Sequence, residues 1–152
     1  MQSYKKLQEE IWRVFGGADP LTLLTLLVYG EARGESLDGK AGVAWVAVNR
    51  VKRGGWFGNT LKKVILKPYQ FSCFLPTDPN FGLLEDALLN FDRYIAEDPV
   101  FKECFYIAKG VYEGWIRDLT HGALYYHARS VSPGWAKSYS KKAEIGNHIF
   151  YG

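Results

Sequence analysis

Two glutamates, Glu31 and Glu35, stand four positions apart in "YGEARGE", directly after the apolar run "LTLLTLLV". If one helix carries both, they share a face with their Cβ atoms roughly 6 Å apart. Leu23, Leu24, Leu27 and Glu31 fall on one helical stripe, so Glu31 is carried toward the core side close to a helix end. Burial disfavours the charged form of a carboxyl, and a carboxyl so placed serves as a general acid near neutral pH. The competing reading is a buried glutamate paired with Arg33 or Arg50 to pin helices together, and spacing alone does not separate the two. Glu35 lies beyond Gly34 and before Ser36, and reads as the more exposed, solvated residue of the pair.

Aromatic residues make up 16% of the chain, with five Trp and ten Tyr, more than a minimal core requires and in keeping with a cleft that stacks flat ligand faces such as sugars. A protonated carboxyl beside such a cleft meets the need of glycosidic bond cleavage, in which the leaving oxygen takes a proton as the sugar approaches an oxocarbenium-like state. Most glycosidases add a second carboxylate, and Glu35 is the candidate here. Without one, a single acid/base serves both steps when a hydroxyl of the substrate itself closes on the anomeric carbon. Aromatic content and charge also admit a non-catalytic glycan-binding module.

The elements that must position these groups are mostly helical. Hydrophobic content of 47% with only 23% charge argues against disorder, and 152 residues suffice for a single domain spanning 1–152. Leu7, Ile11, Val14 and Phe15 predict an N-terminal helix over 1–17, stopped at Gly16-Gly17. Asp19 caps and Pro20 opens a second helix that runs to about Gly34, and a third runs from about Gly39 to Val51. A short helix over Leu61 to Leu66 precedes "KPYQFSCF", which reads as a loop entering an extended segment. "FGLLEDALLNFDRYIAED" and "PVFKECFYIAKGVYEGWI" read as two further helices meeting at Asp98-Pro99. In the second, Phe101, Cys104, Phe105, Ala108, Val111, Tyr112 and Trp115 form an apolar stripe that should be core. "GALYYHA" and "NHIFYG" then predict a small antiparallel sheet, joined by a Ser/Pro/Gly loop containing Trp135. The expected class is α+β, mostly helical with a minor sheet.

Net charge is +3, yet no acid occurs between Asp38 and Asp78, where Lys40, Arg50, Lys52, Arg53, Lys62, Lys63 and Lys67 fall. That stretch is either a polyanion-binding segment or an ordinary solvated face. Base-reading motifs are missing, so nucleic acid is not an expected partner. Cys73 and Cys104 have no metal or disulfide spacing and read as reduced and partly buried, while His121, His127 and His148 lack ligand spacing. No metal or cofactor is therefore expected. "MQSYKKLQEEIWRVF" has no apolar signal region, and the longest apolar stretch falls far short of the ~20 residues of a membrane span. A monomer without stable membrane insertion is expected, reaching any target beyond the membrane by assisted release, by lysis or as part of a longer exported precursor.

"YGEARGESLDGKAGVAWVAVNRV", "PYQFSCF", "GALYYHA", "VSPGW" and "IGNHIFYG" occur in an order that resembles the cell-wall hydrolase family of the spore cortex-lytic (SleB/CwlJ) type, over about 19–152. The resemblance implies a lysozyme-like, lytic-transglycosylase-like fold acting on peptidoglycan glycan strands. It implies that Glu31 is the catalytic acid/base, and that Tyr29, Glu35, Gln70, Phe71, Ser72, Tyr126, His127 and Trp135 contribute to substrate binding. Gln70, Phe71 and Ser72 would orient acetamido groups. Tyr126 and His127 would stack on or bond the glycan, although a structural role for His127 stands beside that reading. Trp135 would be a cleft wall or a core plug.

Overall fold

The computed structural model describes residues 3–152, and the helix that carries Glu31 runs through its centre. This helix, α2 (Pro20–Ala32), follows α1 (Tyr4–Phe15); Asp19 accepts a hydrogen bond from the Thr22 N–H at 2.8 Å and Pro20 fills the first turn. Every residue from Leu23 to Tyr29 is buried. A helix apolar on all sides must be wrapped on all sides, and α2 packs against α3 (Leu37–Arg53), α4 (Leu61–Leu66), α5 (Asn80–Leu89) and α7 (Pro99–Tyr112). The stripe of Leu23, Leu24 and Leu27 therefore does not single out a core side. Truncating any one of these fully buried leucines to alanine should cost about 2–5 kcal/mol. The N-terminal helix expected over 1–17 is α1, with residues 1 and 2 outside the described part.

Three expectations need correction. The segment read as one helix from Phe81 to Asp98 breaks at Asn90 into α5 and α6 (Phe91–Glu97), because the Asn90 amide bonds the Asp86 carbonyl and carboxylate at 3.0 and 3.1 Å and leaves helical geometry. The bend sets Phe91 against Phe101 and Phe105. The stripe of α7 stops early: Gly114, with φ +84°, ends the helix before Trp115, so that Tyr112 and Trp115 are exposed and Phe105 only half-buried. "KPYQFSCF" is a loop, as expected, but it leads into a 3-10 turn over Ser72–Phe74 rather than into an extended segment, and Tyr69 takes a left-handed φ of 69°.

Strands β1 (Tyr125–Ala128), β2 (Lys141–Ile145) and β3 (His148–Tyr151) form an antiparallel sheet in the order β1-β3-β2. The register pairs Tyr126 with Phe150 and Tyr125 with Tyr151. Alternation puts Tyr126, His148 and Phe150 on the helix side, and Tyr125, His127 and Tyr151 on the other. Phe150 is fully buried and lies so close to α3 that a Cβ on Gly42 would meet its ring at 2.8 Å. Among the described residues no single helix is long and apolar enough to cross a membrane. Cys73 and Cys104 are unpaired and wholly buried rather than partly so.

Candidate active site

Glu31 sits in the last turn of α2, half-buried, where the helix end meets β1 and the 3-10 turn. Its Oε1 accepts a hydrogen bond from the Tyr126 hydroxyl and its Oε2 one from the Cys73 N–H at 3.3 Å. Gly30 makes the second contact possible: a Cβ there would lie 2.8 Å from Cys73 Sγ and 3.1 Å from Leu84 Cδ1, so any side chain would push the turn away. Burial, and then the charge of Glu31, hold the Tyr126 phenol and the Cys73 thiol well above their ordinary ionisation ranges. Tyr126 is thus a standing O–H donor to Glu31. Among the described residues Glu31 forms no ion pair, and Arg33 instead bonds the Tyr29 carbonyl at 3.0 Å and Asn80 Oδ1 at 2.8 Å. The helix-pinning pair that spacing left open is not built.

Tyr126 also lines a cleft of ≈ 380 Å³, whose other walls are Arg50, Tyr69, Gln70, Tyr125, Trp135 and Tyr139. Glu31 therefore lies one hydrogen bond behind an aromatic lining that contains no Asp or Glu. Trp135 is 38% exposed and packs beside Tyr125 and Tyr139, which makes it a cleft wall rather than a core plug. Tyr69, Arg50, Tyr125 and Tyr139 had not been assigned to a cleft by sequence reasoning. The signal for Tyr69 and Tyr125 was their position beside motif residues Gln70 and Tyr126; nothing local marks Tyr139.

The other expected binding residues divide. Gln70 reaches the cleft, whereas Ser72 is exposed at the start of the 3-10 turn and does not line it. Phe71 is 2% exposed beneath the Arg50 guanidinium, and Tyr29 is buried with its hydroxyl donating to Asp98 Oδ2 at 2.7 Å and its ring between Tyr94 and Phe101. Both are core side chains, and their assignment to substrate contact is corrected. His127 stacks on Tyr151, donates from Nδ1 to the Ala128 carbonyl at 2.7 Å and accepts at Nε2 from the Tyr151 hydroxyl at 2.8 Å. With both nitrogens satisfied on the sheet face away from Glu31, it supports the lining of Trp135 rather than the carboxyl.

Glu35 is also corrected. α2 ends at Ala32, so the two glutamates do not share a helix face, and the Glu35 side chain is only 9% exposed. Its carboxylate accepts from the Asn147 N–H at 2.9 Å and the Asn147 side-chain amide at 3.2 Å, and lies 3.7 Å from His148 Nδ1. Gly146, at φ +57°, lets the β2–β3 turn approach; a Cβ there would sit 2.9 Å from Glu35 Oε1. Glu35 is a clamp between the α2–α3 corner and that turn, and the His148 ring beside it packs on Tyr126. Burial holds the His148 pKa below its ordinary value against the pull of Glu35.

The basic segment is less of a surface than its composition implied. Lys40 and Arg50 are buried, Lys40 bonding Glu103 at 2.6 Å and the Glu35 carbonyl at 2.9 Å. Lys62 is tied to the Gly16 carbonyl at 2.7 Å and Lys67 lies over the Trp56 ring. Those four cations serve the fold first.

With this geometry in hand, known proteins give a consistent comparison. The profile of the family described as Cell Wall Hydrolase matches residues 34–151, so Glu31 falls three positions before the matched segment. Proteins named spore cortex-lytic enzyme from Bacillus cereus and Oceanobacillus iheyensis are each 30% identical over 131 residues, 86% of this chain. The chain spans 43% and 40% of their lengths, less than half of the curated relatives it matches. Among solved structures, the catalytic domain of the germination-specific lytic transglycosylase SleB from Bacillus anthracis superposes with a TM-score of 0.60 at 29% identity, covering 90% of this chain and 98% of that one. The catalytic domain of Bacillus cereus SleB gives 0.58 at 28%, covering 88% and 89%. The architecture is accordingly the lysozyme-like, lytic-transglycosylase-like α+β fold, and the chain belongs to the cell wall hydrolase family.

Proposed function

We propose that this chain cleaves peptidoglycan glycan strands as a lytic transglycosylase, with Glu31 as general acid and then general base. Membership of the cell wall hydrolase family and the likeness to a lytic transglycosylase catalytic domain support the class of reaction. The observation that carries the mechanism is the solitude of Glu31: the cleft lining holds no carboxylate, and both oxygens of Glu35 are engaged by Asn147. A hydrolase working through two carboxylates needs the second one free to attack or to hold water.

Glu31 donates its proton to the oxygen between N-acetylmuramic acid and N-acetylglucosamine, and the bond from that oxygen to muramyl C1 breaks. The muramyl 6-hydroxyl oxygen closes on C1 and its proton passes to the Glu31 carboxylate. The product ends in 1,6-anhydromuramic acid, no water is consumed, and the acid is regenerated. Tyr126 and the Cys73 N–H hold the carboxyl in place through both transfers. Mass spectrometry of digested sacculi tests the reading: anhydro ends are expected, and reducing ends carrying oxygen from labelled water would replace it with hydrolysis. Sacculi that bind the protein without releasing muropeptides would leave only a glycan-binding module.

A further inference from the structure

Arg50 is the least ordinary residue of the cleft. It is 5% exposed, yet among the described residues it has no carboxylate within ion-pair distance. Three aromatic rings surround its guanidinium, Phe71 at 4.7 Å, Phe57 at 5.2 Å and Tyr125 at 5.7 Å. Nε donates to the Leu124 carbonyl at 2.8 Å, Nη1 reaches Gln70 Oε1 only at 3.5 Å, and Nη2 has no acceptor among the described residues. Removing a guanidinium from water without a counter-charge is costly, and the cation here is held at the wall of an open cleft rather than neutralised. Burial lowers its affinity for the proton. A planar, permanently charged fork with unused N–H groups is suited to a carboxylate.

Building on the proposed function, we infer that Arg50 is a specificity-determining residue that binds a carboxylate carried by the muramyl unit in the cleft. Two sources present that chemistry, the free lactyl carboxylate of a peptide-free strand and the carboxylates of an attached stem peptide. The aromatic walls take the faces of the sugars, and Arg50 reads the acidic substituent that separates muramyl from glucosaminyl residues. Placement of that substituent fixes which linkage reaches Glu31.

Three strands test this with the intact chain: peptide-free with free lactyl carboxylates, peptide-free with those groups converted to methylamides, and peptide-bearing. If the lactyl group is the ligand, the methylamide strand should show KM raised roughly tenfold over the free carboxylate with kcat nearly unchanged, as for loss of one charge-assisted contact. The peptide-bearing strand then follows the methylamide; if the peptide is the ligand, the two peptide-free strands share the raised KM and the peptide-bearing strand alone keeps the low one. Arg50→Gln should erase the preference and Arg50→Lys should keep part of it. Equal KM on all three strands by the unaltered protein overturns the inference, as does a folded Arg50→Gln that retains the preference. Should both variants fail to fold, NMR titration of the unaltered protein with N-acetylmuramic acid, its methylamide and an N-acetylmuramyl peptide decides the matter, tighter binding of either acid than of the methylamide supporting it and equal binding of all three refuting it. Cleavage of none of the strands would refute the proposed function, while the titration would still judge Arg50.

Discussion

Glu31 and Glu35 stand four residues apart and finish in different chemical worlds. The region around Glu31 is made by convergence: a helix end, the Cys73 turn and β1 meet at one carboxyl, and the carboxyl takes one hydrogen bond from each partner. The region around Glu35 is made by closure, since one turn folds over the carboxylate and occupies both oxygens. The same side chain is left with work to do in the first place and has it already done in the second. What separates them is the end of α2 at Ala32, which sends the next residues around a corner.

The largest effect should follow from removing the acid. Glu31→Gln keeps the size and accepts one of the two hydrogen bonds, but it has no proton to donate, so kcat on sacculi should fall on the order of a thousandfold with melting temperature little changed. Turbidity clearance alongside a thermal melt checks both halves. A folded Glu31→Gln with ordinary activity would take the carboxyl out of the mechanism.

Tyr126→Phe comes next. The ring still fills its place against His148 and Phe150, while the donor to Glu31 is lost. Loss of a hydrogen bond to a charged group is worth about 1.5–3 kcal/mol, so a decrease in kcat of roughly ten- to hundredfold is expected with KM less affected. A change confined to KM would make Tyr126 a binding residue only.

Much of this contrast was legible in the sequence, and the part that was not has a physical reason. Asp19-Pro20 and Asp98-Pro99 announce helix starts because a cap and a proline act on adjacent residues, and both caps are made. The break at Asn90 is also local, yet an amide bonding its own helix carries no pattern in hydrophobicity. Gln70, Tyr126 and Trp135 reach the cleft from three separate segments, and motif order located them where periodicity did not. Tyr29 and Phe71 belong to the same motifs but point inward, because a motif does not record which way a side chain faces. The burial of Glu35, Lys40 and Arg50 depends on partners more than 60 positions away, at Asn147, Glu103 and Leu124, and no window of sequence contains both ends.

The clamp gives a smaller effect of a different kind. Glu35→Ala leaves the Asn147 N–H and side-chain amide without their acceptor, and about 1–3 kcal/mol of stability should be lost, read as a lower urea midpoint. Activity should decline less than in Glu31→Gln, because Glu35 reaches the reaction only through His148 and Tyr126. Glu35→Gln, which still offers one acceptor oxygen, should recover most of the stability. If the folded Glu35→Gln protein instead loses as much kcat as Glu31→Gln, the two carboxyls act as a pair and the contrast drawn between their surroundings fails.

The smallest predicted effect is a pH dependence of stability in the same clamp. His148 Nδ1 is buried without a hydrogen-bond partner, and burial keeps the folded pKa below the 6.5 of the free side chain; Glu35 and Glu31 oppose the shift and His127 adds to it. Above that value neither folded nor unfolded chain binds the proton, and the stability associated with neutral His148 is fully present. As pH falls through 6.5 the unfolded chain takes up a proton that the folded ring still refuses, so stability drains away until the depressed folded pKa is reached. His148→Phe removes the titrating group and keeps a flat ring beside Tyr126 and Phe150. Its urea midpoint should therefore decline less than that of the unaltered protein between about pH 7 and pH 5.5, a window in which carboxylates with ordinary pKa values change little. Parallel declines in the two proteins would show that His148 keeps the same proton affinity folded and unfolded, and that the pocket closed by Glu35 is wetter than its burial indicates.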